Sequence, residues 1–320
     1  MAARRGTDGS VSTFAETPRA VLPAGLEQLL GPPESAPEPL GGGITNHNLR
    51  VRYGGRDLVV RLGGKDTGLL GIDRVCEREA TAAAAAVGVG PEVVAFLSEP
   101  PTLVTEFLPG RVMTQADLGK PDMIAQVAVT LWEVHGMRPL RNRFSPWDVV
   151  DSYAHTAAAR GGGSPGAFGD LREGARRIQA AIDPAHPEHA PVPCHNDLLP
   201  ANLIRDGETM RILDWEYAGM GNRYFDLGNL SVNNAFNEAG DEWLLECYWG
   251  EPCTRRRLAT LRLMRIMSDL RESMWGVVQQ AISELDFDFA DYAREHFERV
   301  RAGFADPRFG VWLEDASSGP

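Results

Sequence analysis

The run NLRVRY-GG-RDLVVRL, residues 48–62, constrains the fold of this chain more than any other stretch. Two β-rich segments flank Gly54 and Gly55, and a two-glycine link accepts the positive φ angles that a tight antiparallel turn demands, so the run reads as a β-hairpin. DRVCEREATAAAAAVG then has the alanine-rich composition and glycine stop of a helix. PEVVAFL and PTLVTEFL read as two further strands, ending near Phe107. Together they predict a small antiparallel sheet with one helix over residues 40–108. Upstream, the short helical start AGLEQLL is set apart by the Pro/Gly segment GPPESAPEPLGGG at 31–43, so residues 1–39 are expected to form an extension carrying one short helix.

From about residue 122 the texture turns helical. In MIAQVAVTLWEVHG the apolar Ile124, Val127, Ala128, Leu131 and Trp132 fall at i, i+3, i+4, i+7 and i+8, which predicts one buried helix stripe. ANLIRDGETMRILDW reads as two short strands around the turn DG, and about 241–302 as mostly helix. The terminal WLEDASSGP is expected to be a frayed tail. The expected architecture is α+β, with a sheet-rich lobe, a two-strand tongue and a helix-rich lobe over 109–320, meeting at a cleft. A chain of 320 residues that is 43% hydrophobic can supply a core to each lobe.

A formal charge of −12 with no basic stripe argues against a nucleic-acid partner and is compatible with a cationic small substrate. No stretch approaches eighteen consecutive apolar residues, so no membrane span is expected. The opening MAARRGTDGSVSTFAETPRAV has two arginines but no apolar core behind them and does not read as a secretory signal. Cys76, Cys194, Cys247 and Cys253 are scattered without paired spacing, which fits a reduced, cytoplasmic protein without a structural zinc site.

Two stretches carry chemistry. In GGGITNHNLRV, residues 41–51, glycines such as Gly43 let backbone N–H groups approach phosphate oxygens, and Thr45, Asn46 and Asn48 add polar partners. In CHNDLLPANLI, residues 194–204, His195, Asp197 and Asn202 have the spacing H-x-D-x-x-x-x-N, and Asp214 follows an apolar run in RILDWE. Phosphoryl transfer needs an oxygen base at the attacking hydroxyl, a role open to Asp197, and cations against the phosphate charge. Asn202 and Asp214 are hard oxygen ligands suited to Mg²⁺. Each alone could cap a turn or strand; their coincidence downstream of a glycine-rich hairpin is what points to the reaction. His195 reads as a packed, hydrogen-bonded scaffold residue.

HNDLLPANLI, ILDWEYAGMGNRYFDLGNL and GGGITNHNLRV resemble the choline/ethanolamine kinase branch of the aminoglycoside phosphotransferase-like family, which has the protein-kinase-like fold; the resemblance runs from about Gly41 to Arg299. It implies that Asp197 is the catalytic base beside the acceptor, that Asn202 and Asp214 bind Mg²⁺ with Glu216 as the acidic partner in D-x-E, and that ATP lies between the lobes. It places Arg61 where protein kinases carry the lysine that touches the α/β-phosphates, paired with Glu77 in preference to Glu79, and the backbone from Glu106 to Leu108 against adenine. It also makes Asp226 a buried brace for the catalytic loop. For the acceptor, SMWGVVQQAISELDFDFADYAREHF resembles the segment that supplies aromatic walls, with Trp275 and Tyr292 matching. Val278 and Phe289 stand where a tryptophan and a hydroxylated aromatic are expected, and Asn233 where eukaryotic choline kinases have an acidic residue. The implied function is Mg²⁺/ATP-dependent phosphorylation of a small cationic alcohol. An aminoglycoside phosphotransferase and a non-catalytic nucleotide-binding module are the alternatives. The acceptor, the choice of ATP or GTP and the oligomeric state are left open.

Overall fold

The computed structural model describes residues 22–41, 46–64, 67–161, 168–182 and 185–318. Gly43 and Thr45 lie outside the described residues. The first lobe is built from α1 (Ala24–Leu30), β1 (Glu38–Leu40), β2 (Asn46–Tyr53), β3 (Arg56–Gly63), α2 (Arg74–Ala86), β4 (Val93–Ser98) and β5 (Pro101–Glu106). The strands form one antiparallel sheet in the order β1-β2-β3-β5-β4. The hairpin turns where expected: Tyr53 sits opposite Arg56, with Gly54 at φ 55° and Gly55 at φ 75° between them.

Period-two alternation gives this sheet two different faces. Leu49, Val60 and Val104 lie directly across from one another on β2, β3 and β5, and with Val51, Tyr53, Leu58 and Leu26 of α1 they form a small core. The opposite parity puts Asn46, Asn48 and Arg61 together on the other face, Asn48 directly across from Arg61. Helix α2 lies on that side, its start capped by Asp73, whose side chain accepts from the Val75 and Cys76 N–H groups. The segment read as a Pro/Gly spacer contains β1, and the boundary expected after residue 39 falls inside it. Pro39 is tolerated because β1 is an edge strand, where a missing donor leaves no neighbour unpaired.

The second lobe holds β6 (Arg111–Val112), α3 (Gln115–Leu118), α4 (Pro121–His135), α5 (Pro146–Ala159), α6 (Phe168–Ala181), β7 (Val192–Cys194), β8 (Leu203–Asp206), β9 (Thr209–Ile212), β10 (Gly219–Gly221), α7 (Arg223–Asn233), α8 (Glu238–Trp249), α9 (Arg255–Ile282), α10 (Phe289–Ala305) and α11 (Phe309–Ser317). The expected two-strand tongue is β8–β9, joined by β6 into a three-stranded sheet, while β7 and β10 pair separately. Long, mostly buried α9 is the axis on which α5, α7, α10 and α11 pack. At the α7 crossing, a Cβ on Gly228 would lie 2.9 Å from the Arg265 nitrogen and the Met264 carbonyl carbon, so glycine there sets how closely the helices approach. Two expectations fail. Trp132 is 49% exposed, because the buried stripe of α4 continues through Val134 and His135, and Trp132 instead lies edge-on to Tyr248 and Trp249 at the rim. The tail is helical as far as Ser317: α11 docks on α9 and buries Phe309 and Ala316. Among the described residues no helix is long and apolar enough to cross a membrane.

Candidate active site

The segment between β7 and β8 is held almost entirely by side chains behind it. Fully buried Asp226, on the first turn of α7, accepts from the His195 N–H (2.8 Å) and the Asn196 N–H (2.6 Å), and His135 approaches it at 3.2 Å. Asn229, one turn on, accepts from the Leu198 N–H at 2.5 Å and donates to Ser268 of α9. These bonds hold Asn196 at φ 67°, a left-handed conformation that asparagine tolerates better than most residues. The His195 ring takes one tautomer: Nδ1 accepts from the Asp197 N–H at 3.2 Å and Nε2–H donates to the Leu213 carbonyl at 2.8 Å. Burial pushes its pKa down, so the ring is a neutral pin and not an acid or base. The result fixes Asp197 on the outer side of the loop.

Asn202 Nδ2 donates to the Asp197 carbonyl at 2.9 Å and approaches the Asp197 carboxylate at 3.4 Å, so its amide oxygen is the group left to act as a ligand. Asp214, at φ 65° just after β9, bonds Arg61 Nη1 through Oδ1 at 2.5 Å, and the same nitrogen reaches Glu77 Oε1 at 3.0 Å. A single guanidinium therefore ties the sheet, α2 and the second lobe together. Arg74 repeats the pattern, from Nη1 to Glu77 at 2.7 Å and Glu216 at 3.2 Å, and from Nη2 to Asn46 at 2.8 Å; Asn46 in turn donates to Glu216 at 2.9 Å. Burial alone would raise the Asp214 carboxyl, but the Arg61 charge and hydrogen bond outweigh it and hold the group below its ordinary range. Asp197 and Glu216 move the other way, each to about 7, first by burial and then by the negative charge of neighbouring carboxylates, which Arg271 opposes at Asp197 and Arg61 and Arg74 at Glu216. Carboxylates that raise one another mark a site short of positive charge. Oxygen donors from Asn202, Asp214 and Glu216 at that place fit Mg²⁺.

On the other side of Asp197 lie α9 and α10. Trp275 stands edge-on to Phe289 and Tyr292, with centroids at 5.7 and 5.5 Å, and its Nε1 donates to the Tyr217 hydroxyl at 3.1 Å. The Tyr292 hydroxyl donates to Glu272 Oε2 at 2.8 Å. Arg271, next to Glu272 and bonded to it, also reaches Asp197 Oδ1 at 3.2 Å and lies 4.3 Å over the Tyr217 ring.

The family model described as Phosphotransferase enzyme family matches residues 37–250. The chain belongs to that family, in its choline/ethanolamine kinase branch. It is 30% identical to a choline/ethanolamine kinase family protein from Mesorhizobium loti, whose crystal structure superposes with a TM-score of 0.78 over 94% of this chain and 97% of that one. It is 24% identical over 274 residues to Protein LicA of Haemophilus influenzae, covering 82% of this chain and 77% of LicA. With Probable choline kinase 2 of Arabidopsis thaliana it shares 23% over 299 residues, 82% of this chain and 83% of the plant protein. The choline kinase LicA of Streptococcus pneumoniae, at 22% identity and a TM-score of 0.73, shares the kinase-like fold.

In this phosphotransferase bonds link Arg61, Glu77, Asp214, Glu216 and Asn46, Asn48 lies across from Arg61, Asn202 bonds Asp197, and Arg271 and Glu272 connect Asp197 to Tyr292, which packs on Trp275. Glu77 is the partner of Arg61; Glu79 pairs outward with Arg78 and Arg141. At the end of β5 the Glu106 N–H is taken by the Glu92 carbonyl and the Phe107 N–H by the Asp57 carbonyl, and Leu108 is buried. Asn233 is not brought to the aromatic group by any bond: it ends α7, two turns beyond Asp226, and its carbonyl accepts from Gln115 of α3 at 2.7 Å. Sequence reasoning missed Arg74, Asn196, Asn229, Tyr217, Arg271 and Glu272. The adjacent charges Arg271-Glu272 inside the apolar face of a long helix were a signal in plain view.

Proposed function

We propose that this phosphotransferase moves the terminal phosphoryl group of ATP onto the hydroxyl of a small amino alcohol by direct in-line transfer. The observation that carries the reading is that Arg61 of the sheet bonds Asp214, 153 residues away, while Asn202 bonds Asp197 and takes the Leu213 N–H, next to Asp214, on its carbonyl. LicA, a relative of this fold, has been crystallised in complex with AMP, an adenine nucleotide. Here Arg61 and Arg74, held by Glu77, would meet the phosphates, and the Asp57–Leu108 corner the base. Asn202, Asp214 and Glu216 would hold Mg²⁺, which when bound neutralises charge on the phosphate oxygens. Asp197 accepts the proton of the attacking hydroxyl, contributing about 10²–10⁴-fold. Trp275, Tyr292 and Glu272 offer aromatic faces and a carboxylate to an ammonium group. That compact aromatic group favours a small acceptor over an aminoglycoside.

The test is Mg²⁺/ATP-dependent ADP release by the purified protein over choline, ethanolamine, other amino alcohols and aminoglycosides. Stimulation by an amino alcohol is expected; stimulation by aminoglycosides alone, or by nothing, would overturn the reading.

A further inference from the structure

Once the phosphoryl-transfer groups are assigned, one charged side chain beside the base is unaccounted for. Arg271 lies on α9 one turn before Trp275 and is 1% exposed. Among the described residues only its Nη1 is engaged, by Asp197 and Glu272. Nε and Nη2 are buried and have no hydrogen-bond partner among them. Those two nitrogens share one edge of the guanidinium plane, the edge that binds a carboxylate side-on. The chain itself shows the geometry at Arg308, whose Nε and Nη2 hold the two oxygens of Asp306 at 3.1 and 3.0 Å. A buried donor pair without acceptors is destabilising, and a native protein keeps one where something supplies the acceptors.

Two further facts narrow what that something is. One face of the Tyr217 ring carries the Arg271 guanidinium at 4.3 Å and is closed to a ligand's ammonium, which leaves Trp275 and Tyr292 as the open aromatic partners. The two carboxylates around Arg271, Asp197 and Glu272, outnumber it by one, which favours a cation beside them, while the free edge of Arg271 separately calls for an acceptor. A ligand with both charges satisfies both demands.

We propose that the acceptor is a hydroxylated amino acid, and that Arg271 binds its carboxylate side-on while its ammonium faces Glu272 and the aromatic rings. The inference rests on the reading of the site as an amino-alcohol phosphotransferase and narrows its substrate class. Both donors are shut off from solvent, so the side chains around them must part as the acceptor enters.

The experiment uses matched acceptors that differ by the carboxylate: serine against ethanolamine, and homoserine against 3-amino-1-propanol. ADP release gives kcat/KM, phosphorus NMR identifies the product, and calorimetry gives binding. In the wild-type enzyme the carboxylate-bearing member of at least one pair is expected to be preferred about 10- to 100-fold. Arg271 also touches Asp197, so its variants will lose absolute rate, and the diagnostic quantity is the ratio within a pair. Arg271→Gln should bring that ratio to about 1, and Arg271→Lys should restore part of it, with circular dichroism confirming that both fold. Equal or better use of the amino alcohols by the wild type would overturn the inference and leave the broader reading standing. Binding of the amino acids without turnover, or neither binding nor turnover with either pair, would also overturn the inference; the broader reading falls separately, only if no amino alcohol, choline included, stimulates ADP release.

Discussion

Asp226→Asn replaces one oxygen of the carboxylate that braces the catalytic loop and tests whether the loop is held from behind. Asp226 is fully buried, and its two oxygens accept the His195 and Asn196 N–H groups at 2.8 and 2.6 Å. Each bond is charge-assisted and worth about 1.5–3 kcal/mol. Asparagine keeps one acceptor, now neutral, and turns an NH₂ toward the other N–H. One strong bond is lost, and a buried backbone donor is left facing a donor, at a further cost of about 1–3 kcal/mol. The expected loss is about 3–5 kcal/mol, a large share of the 5–15 kcal/mol typical of a folded protein. Urea unfolding at neutral pH measures it through the midpoint at unchanged slope. Asn196 should also leave its left-handed conformation and carry Asp197 with it, so kcat should fall far more than the apparent affinity for ATP changes. A stability loss below about 1 kcal/mol would refute the reasoning, because it would mean that the loop conformation is set locally and not by Asp226.

Burial and neighbouring carboxylates raise Asp197 to about 7, and a base acts only when deprotonated, so kcat/KM should fall about tenfold per pH unit below that value and level off above it. Asp197→Asn should abolish this limb and lower kcat about 10²–10⁴-fold; near-normal turnover would remove Asp197 from the role. Asp214→Ala should eliminate Mg²⁺-dependent nucleotide binding in calorimetry, and unchanged binding would mean that the metal ligands are misassigned. Glu77→Gln should raise the KM for ATP about tenfold or more by freeing Arg61 and Arg74, whereas Glu79→Gln, in an outward-facing pair, should stay within about twofold. Gly228→Ala should destabilise the fold by about 1–3 kcal/mol in thermal or urea unfolding, since its Cβ meets the backbone of α9; no change would show that α7 can move away.

Much of the site was legible because its spacing is local. His195, Asp197 and Asn202 lie within eight residues, and the hairpin that leads from β8 to β9 returns the chain to Asp214. That Asn46, Asn48 and Arg61 share one face followed only from the register of β2 and β3. The α2 partner of Arg61 was only half legible: Glu77 and Glu79 differ by half a helical turn, and the packing of α2 on the sheet turned the first inward and the second toward Arg141. Trp132 was misplaced for the same kind of reason, since an apolar residue on the shoulder of a stripe is buried or not according to what packs alongside.

Local pattern by itself determined the hairpin, the lobe order, the close spacing of His195, Asp197 and Asn202 and the class of reaction, because turn chemistry and residue periodicity act over a few residues. Tertiary structure decided the rest. It brought Asp226 and Asn229 of α7 behind the loop, and it locked one lobe to the other through Arg61 and Arg74. It also set Arg271 of α9 against Asp197, 74 residues away in the chain. Those contacts depend on how helices cross and where a buried charge finds a partner, and both are properties of the packed interior that no short window of sequence contains.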